Sequence, residues 1–169
     1  MEGLIIRELL KEDCVVISKA FAEQGWNKPI SQYESYLSEQ KEGFRKILVA
    51  EYKGEFAGYL TIRWRSDYEP FFSAAIPEIV DLNVLIKFQK KGIATALLDE
   101  AEKIVSEQYD VIGIGFGLTS DYGAAQRIYV KRGYIPDGLG ISQNGKFLTY
   151  GDQIIVDDDL VLYLTKRLK

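Results

Sequence analysis

Around residue 90 this chain gathers the groups needed to hold an anion. A β-like apolar run, residues 79–85 (IVDLNVL), passes through Lys87, Lys90 and Lys91 into Gly92, and an amphipathic helical pattern begins almost at once. Strand, glycine-containing turn and helix start together leave several backbone N–H groups unpaired at the positive end of a helix dipole. Such a point takes a phosphate or pyrophosphate. The lysines concentrate positive charge there in a chain whose net charge is −4. The turn reads Gln89-x-x-Gly92-x-Ala94, which makes Gln89, Lys90, Lys91, Gly92, Ile93, Ala94 and Thr95 candidate contacts. Just ahead of it lie two carboxylates, Glu78 and Asp81, and well after it a helical tyrosine, Tyr129.

Composition narrows the chemistry further. The chain contains no histidine. That excludes Ser–His–Asp and Cys–His catalysis, His-ligated metals and imidazole proton shuttles, and leaves proton transfer to Glu, Asp, Tyr, Lys or Cys. Cys14 is the single cysteine, so no internal disulfide is expected and no metal site either. A sequence pI near 5.0 argues against a nucleic-acid partner, whose phosphates call for a basic surface. No segment approaches the roughly 18 apolar residues of a membrane span, and the N-terminal MEGLIIRELLKEDC mixes charges through any apolar run, unlike a signal peptide. The expectation is a cytoplasmic protein without a membrane partner. Its 169 residues, 47% of them apolar, suit one domain spanning 1–169.

The elements that must position these groups follow from periodicity and punctuation. A strand is expected at about 3–10, helices over 12–24 and 29–41, and two strands at 46–53 and 55–65 joined by a Lys53-Gly54 turn. Residues 65–77 read as a loop or strained strand edge, and 78–85 as a third sheet element. A helix over about 91–107 buries Ile93, Ala94, Leu97, Leu98, Ala101, Ile104 and Val105 on one face. A glycine-punctuated strand follows at 111–119, then a short helix at 122–132 ended by Gly133. The tail offers strands near 134–142, 147–156 and 160–167. The class is α/β.

Two blocks of this pattern resemble the GNAT superfamily of N-acetyltransferases. Gln89-x-x-Gly92-x-Ala94 resembles its pyrophosphate motif, Q/R-x-x-G-x-G/A. Residues 125–134, AQRIYVKRGY, resemble its later motif A-x-x-x-Y-x-x-x-G-F/Y, with Ala125 as the small residue, Tyr129 as the helical tyrosine beside the coenzyme thiol, and Gly133-Tyr134 as the helix exit. The blocks stand in the right order, separated by one strand, and the likeness runs along nearly the whole chain. It implies the GNAT fold, a mixed twisted sheet flanked by helices. It also implies transfer of acetyl from acetyl-CoA to a primary amine by direct attack in a ternary complex. The same resemblance sets the backbone of Leu82, Asn83 and Val84 against the pantetheine arm and acetyl carbonyl, and Tyr129 as proton donor to the leaving thiolate.

An amine arrives protonated and cannot attack a thioester until a base removes a proton. One branch of the superfamily keeps that base on the strand before the turn, eleven residues ahead of the Q/R position, which here is Glu78. The other common position, twelve residues before the tyrosine, is Gly117 and closed to this role. Asp81 is the alternative base. On a regular strand Glu78, Val80, Leu82 and Val84 share one face and Asp81 the other, so a bulge would have to re-aim it. The family's usual asparagine, seven residues before the tyrosine, is replaced by Tyr122. Its ring could pack on the pantetheine arm, or Asp121 or Thr119 could supply the polar contact. A reading of another class is a non-catalytic acyl-CoA-binding module of GNAT shape, acting as sensor or partner domain.

Three other patterns carry no chemistry. Gly113-x-Gly115-x-Gly117 lacks the third glycine of a dinucleotide fingerprint and lies within a strand. Gly140-x-x-x-x-Gly145-Lys146 imitates a phosphate loop, but Phe147 stands where Ser or Thr would hold magnesium, and Asn144-Gly145 reads as a hairpin turn. Asp157-Asp158-Asp159 reads as a solvated turn. The acceptor pocket is expected from Trp26, Tyr33 and Tyr36, from Trp64, Tyr68, Phe71 and Phe72, and from the hairpin near 144–152. Those aromatics with interspersed acids suit a small cationic amine, a peptide N-terminus or a lysine side chain equally. A homodimer is the commonest closed assembly for such a protein.

Overall fold

The computed structural model describes residues 1–169. The chain forms two compact units, one of Met1–Trp64 with Ile79–Ile104, the other of Arg65–Glu78 with Val105–Lys169.

The first unit is built on four strands in the order β1 (Leu4–Glu8), β2 (Arg45–Tyr52), β3 (Glu55–Arg63) and β4 (Glu78–Val84). β1 and β2 pair antiparallel from Leu4↔Tyr52 to Glu8↔Leu48. β2 returns into β3 through Lys53 and Gly54, both left-handed at φ 53° and 80°, the conformation that matches the twist of a two-residue hairpin. Helices α1 (Asp13–Glu23) and α2 (Ile30–Lys41) pack on each other, and α2 packs on β2. α1 turns Cys14, Ile17 and Phe21 inward, and α2 buries Tyr33. α4 (Ile93–Ser106) buries Ile93, Leu97, Leu98, Ala101 and Val105, with Ala94 and Ile104 half-buried at the margins of that face.

The second unit orders its strands β5 (Val111–Gly117), β8 (Leu160–Arg167), β6 (Ile135–Gln143) and β7 (Lys146–Phe147), each pair antiparallel. Helix α5 (Gly123–Lys131) ends in a Schellman arrangement. Tyr134 N–H bonds Tyr129 O at 3.1 Å around a left-handed Gly133.

Two stretches differ from the sequence expectation. Residues 65–77 contain a short helix, α3 (Glu69–Ser73), rather than a loop or strand edge. Pro70 lies in its first turn, where a missing N–H costs nothing, and Phe71 is its buried anchor. The strand expected over 147–156 is absent beyond Phe147. There the Asp152 side chain accepts from Thr149 N–H at 2.8 Å, and Gly151 is left-handed at φ 94°. A local side-chain turn thus takes the backbone group that a ladder would have used. The same chemistry shapes 157–159, where Asp157 accepts from Asp159 N–H at 3.0 Å in an exposed turn.

Candidate active site

The anion turn lies wholly in the first unit. After β4, a 3-10 turn (Ile86–Phe88) leads through Gln89 into Lys90 and Gly92, both left-handed at φ 59° and 80°. The first helical bond of α4 runs from Ala96 N–H to Gly92 O at 3.0 Å. Gly92 is therefore the N-cap, and the amides of Ile93, Ala94 and Thr95 have no carbonyl one turn earlier. Gly92, Lys90, Lys91 and Thr95 are exposed, while Ile93 is buried and pins the helix start. Lys91 holds its ammonium 5.6 Å from the Tyr52 ring and 5.7 Å from that of Phe88. Lys87 instead pairs with Glu55. Gln89 turns back, its amide 3.4 Å from Val84 O, and braces the turn. The open amides, the left-handed glycine and the exposed lysines fit a pyrophosphate.

β4 is not a regular strand. Asp81 is left-handed at φ 63°, a conformation that Asp tolerates better than most residues. The irregularity expected of a re-aimed Asp81 is present, and its carboxylate is the hub of a polar cluster. Oδ2 accepts from Tyr59 Oη at 2.5 Å, Tyr36 Oη at 2.9 Å and Gln32 Nε2 at 3.1 Å. Oδ1 accepts from Asn83 Nδ2 and lies 3.5 Å from Lys28 Nζ. Burial, and after it the Asp81 charge, push the Tyr59 phenol far above its ordinary range, and the same two causes raise Tyr36 to about 12. Both hydroxyls therefore stay protonated and donate. A second chain of bonds holds the strand one residue earlier. Thr61 Oγ1 donates to Val80 O at 2.6 Å and accepts from Arg45 Nη1 at 2.7 Å. Arg45 is buried, pairs with Glu39 at 2.6 Å and lies 4.3 Å over the Tyr36 ring.

Tyr129 belongs to the second unit, and so does Glu78, the first residue of β4, whose remainder from Ile79 lies in the first. Glu78 is buried, and its Oε2 accepts a hydrogen bond from Ser66 Oγ, which in turn accepts Tyr68 N–H at 2.9 Å. Tyr68 stacks on Tyr163 at 3.6 Å, edges Phe71 at 4.9 Å and donates to Asp137 Oδ2 at 2.7 Å. Glu78 is thus enclosed and linked through Ser66 to the aromatic group of Tyr68, Phe71 and Tyr163. Tyr129 is buried on α5 between Phe116 and Tyr134, at 6.4 Å and 6.1 Å. Burial, and secondarily Tyr122, raise its phenol above the ordinary tyrosine value. Its hydroxyl makes no hydrogen bond within the chain, so a protonated donor is available.

Tyr122 lies against β5: a Cβ built on Gly117 would stand 2.5 Å from its ring. Thr119 and Asp121 bond each other, and Gln126 Nε2 reaches Gly117 O at 2.8 Å. Ala125 is half-buried on the same helix as Tyr129. The glycines of 113–117 admit rings, not a dinucleotide, for a Cβ on Gly113 would meet Phe71 at 2.3 Å. Of the aromatics expected to shape an acceptor pocket, Tyr33, Tyr68 and Phe71 are core, while Trp26 and Phe72 are exposed. Sequence reasoning missed Lys28, Gln32, Tyr59, Ser66 and Thr61. The spacing of Gln32 and Tyr36 on α2 was a usable signal, since residues four apart share one helix face.

Comparison with known proteins bears on the family and the fold. Residues 11–149 match the family model described as the acetyltransferase (GNAT) domain. The chain is 32% identical over 103 residues to an uncharacterized N-acetyltransferase of Chlorobaculum tepidum, a match covering 58% of this chain and 59% of that protein. The aligned chain thus spans about three fifths of that relative's length. Among solved structures, yncA of Salmonella typhimurium, determined with its cofactor acetyl-CoA, superposes with a TM-score of 0.69 at 20% identity, covering 99% of this chain and 95% of that one. The Salmonella typhimurium acetyl transferase that modifies the N-terminal serine of ribosomal protein L7/L12 gives 0.71 at 12% identity, covering 99% and 96%. At such identities the likeness is one of fold, a mixed sheet flanked by helices.

Proposed function

The chain belongs to the GNAT acetyltransferase family, and on that footing we propose that it moves the acetyl group of acetyl-CoA to a primary amine by direct attack in a ternary complex. The observation that carries this is the turn before α4, where left-handed Gly92, the open amides of Ile93–Thr95 and exposed Lys90 and Lys91 form a seat for a pyrophosphate. In this reading residues 1–169 act as one GNAT domain. Acetyl-CoA supplies an activated thioester carbonyl. The backbone of Leu82, Asn83 and Val84 holds the pantetheine arm and acetyl carbonyl, and Tyr122 and Ala125 line the arm's path in place of the usual asparagine. Glu78 accepts the proton that the acceptor ammonium must lose, and Tyr129 donates one to the departing sulfur. The N–C bond forms as the C–S bond breaks; the second proton that nitrogen sheds on becoming an amide restores the Tyr129 phenol, and the proton on Glu78 passes to solvent, so that ammonium and thioester yield amide, thiol and one proton.

Thermal melting with acetyl-CoA, alongside thiol detection of released CoA on offering a panel of amines, tests the proposal. A ligand that binds only the native state at about 100 times its dissociation constant adds about 2.7 kcal/mol, so the melting temperature should rise by several degrees. Acetyl-CoA that neither stabilises the protein nor yields CoA with any amine would overturn it. Stabilisation without release would leave an acyl-CoA-binding module.

A further inference from the structure

The Asp81 cluster is more than a brace for β4, because one of its five donors is held differently from the others. Tyr59 and Tyr36 approach Asp81 at 2.5 and 2.9 Å. The Lys28 ammonium pairs with Asp81 Oδ1 at 3.5 Å and stands 3.5 Å from Tyr59 Oη, both longer than the phenol contacts. It lies 5.5 Å from the centroid of Phe21 and 6.0 Å from that of Tyr59, distances at which aromatic rings attract a cation. Carboxylate, phenol and two ring faces therefore define a seat for an ammonium group, filled in the free protein by one that approaches less closely than the phenols do.

The chain around Lys28 is fixed at the base of the side chain. Ser18 Oγ bonds Lys28 O at 2.7 Å, Trp26 stacks on Phe21 at 5.7 Å, and Trp26 N–H bonds Phe21 O at 2.9 Å. The butylammonium stem is thus tethered at its base by the connection between α1 and α2, and its side chain retains 20% exposure. Four methylenes allow the head to swing to solvent without moving the backbone. Asp81 itself is the residue just before Leu82–Val84, the stretch assigned above to the acetyl carbonyl.

We propose that this seat, formed by Asp81, Tyr59, Tyr36 and Phe21, takes the unbranched alkylammonium group of the acceptor, and that Lys28 is a displaceable internal occupant holding it in the free protein. The class is set by the occupant already there: a primary ammonium on a straight chain, as in a lysine side chain or an alkyldiamine. An α-amino group brings a branched carbon next to the nitrogen, where the Phe21 and Tyr59 rings stand 5.5 and 6.0 Å from the ammonium. That this cation is the acceptor rests on the transfer reaction proposed above; that the seat binds it does not.

The test is thermal melting of the parent and of Lys28→Met, which keeps a straight stem and removes the charge, in propylammonium, isopropylammonium, alaninamide and sodium chlorides at equal ionic strength. A saturable rise with propylammonium is expected, reached in Lys28→Met at roughly one tenth of the concentration the parent needs, because the tethered ammonium competes. The rise should vanish in Lys28→Met/Asp81→Asn. An equal rise in sodium chloride, or no propylammonium response in either protein, overturns the proposal. A stronger response to alaninamide also overturns it, in favour of a peptide N-terminus. Should Lys28→Met not fold, the parent titration decides, with Asp81→Asn as its control. Acetyl-CoA melting run in parallel separates the two claims. A coenzyme response without an alkylammonium response removes the seat alone, and the reverse removes the transferase reading and with it the acceptor assignment.

Discussion

Replacing Tyr129 by Phe isolates one oxygen atom. The ring is buried between Phe116 and Tyr134, and the hydroxyl makes no hydrogen bond within the chain. The substitution keeps the packing and breaks no internal bond, so folding stability should change by less than about 1 kcal/mol, and acetyl-CoA affinity should be close to parental. What disappears is a hydrogen bond that strengthens as charge builds on the leaving sulfur. A bond to a charged group is worth about 1.5–3 kcal/mol, and at about 1.36 kcal/mol per tenfold kcat should fall by about 10- to 150-fold. Because burial raises the parent's phenol above 10, the parent's rate should show no loss from Tyr129 ionisation between about pH 8 and 10. Single-turnover thiol release, with enzyme in excess over acetyl-CoA, measures the chemical step directly. A phenylalanine variant with the parental single-turnover rate would refute the donor role, and one that loses kcat only in proportion to its stability would return Tyr129 to packing.

Glu78→Gln keeps an oxygen to accept from Ser66, so the fold should hold while kcat drops about 10²–10⁴-fold; an unchanged rate makes Glu78 a structural link to Ser66. Gly92→Glu should abolish the acetyl-CoA melting shift and, since φ is 80° there, also lower the apo protein's stability by about 1–2 kcal/mol. Gly92→Asn, which tolerates that backbone, should keep part of the shift, whereas a full shift in the Glu variant would displace the anion site. Gly113→Ala drives a methyl to 2.3 Å from buried Phe71 and should cost about 1–3 kcal/mol in urea unfolding, part of it recovered by Phe71→Leu. Tyr36 and Tyr163 are each raised to about 12 by burial and nearby carboxylates. Since the fold favours their neutral forms, their contribution is intact below about pH 10 and lost as pH rises through about 12, so melting temperatures should fall across that window, and a flat profile would contradict the burial of these phenols.

What the amino-acid order determined by itself is what depends on near neighbours. The turn at Gln89–Thr95 was legible because glycine, lysines and an amphipathic period act within a few residues, and the same holds for the Lys53-Gly54 hairpin, the α5 exit at Gly133 and the polar turn at 157–159. Glu78, Asp81 and Tyr129 could be named as chemical candidates from the resemblance to the family's motifs, but their surroundings could not. Asp81 receives donors from residues 32, 36 and 59, brought to it by α2 and β3. Its left-handed backbone departs from the alternation that local sequence implies. Glu78 is tied to Ser66 by a loop that sequence read as structureless and that folds into α3 because Phe71 finds room over Gly113. The strand expected over 147–156 failed for the converse reason, a local Asp152 bond outcompeting a ladder with no partner beside it. Lys28 reads in sequence as one more surface charge. Only the packing of Phe21, Tyr59 and Asp81 around its head makes it the occupant of a seat, because the field at a side chain comes from whatever tertiary structure sets beside it, and Tyr59 and Asp81 are far from Lys28 in the chain.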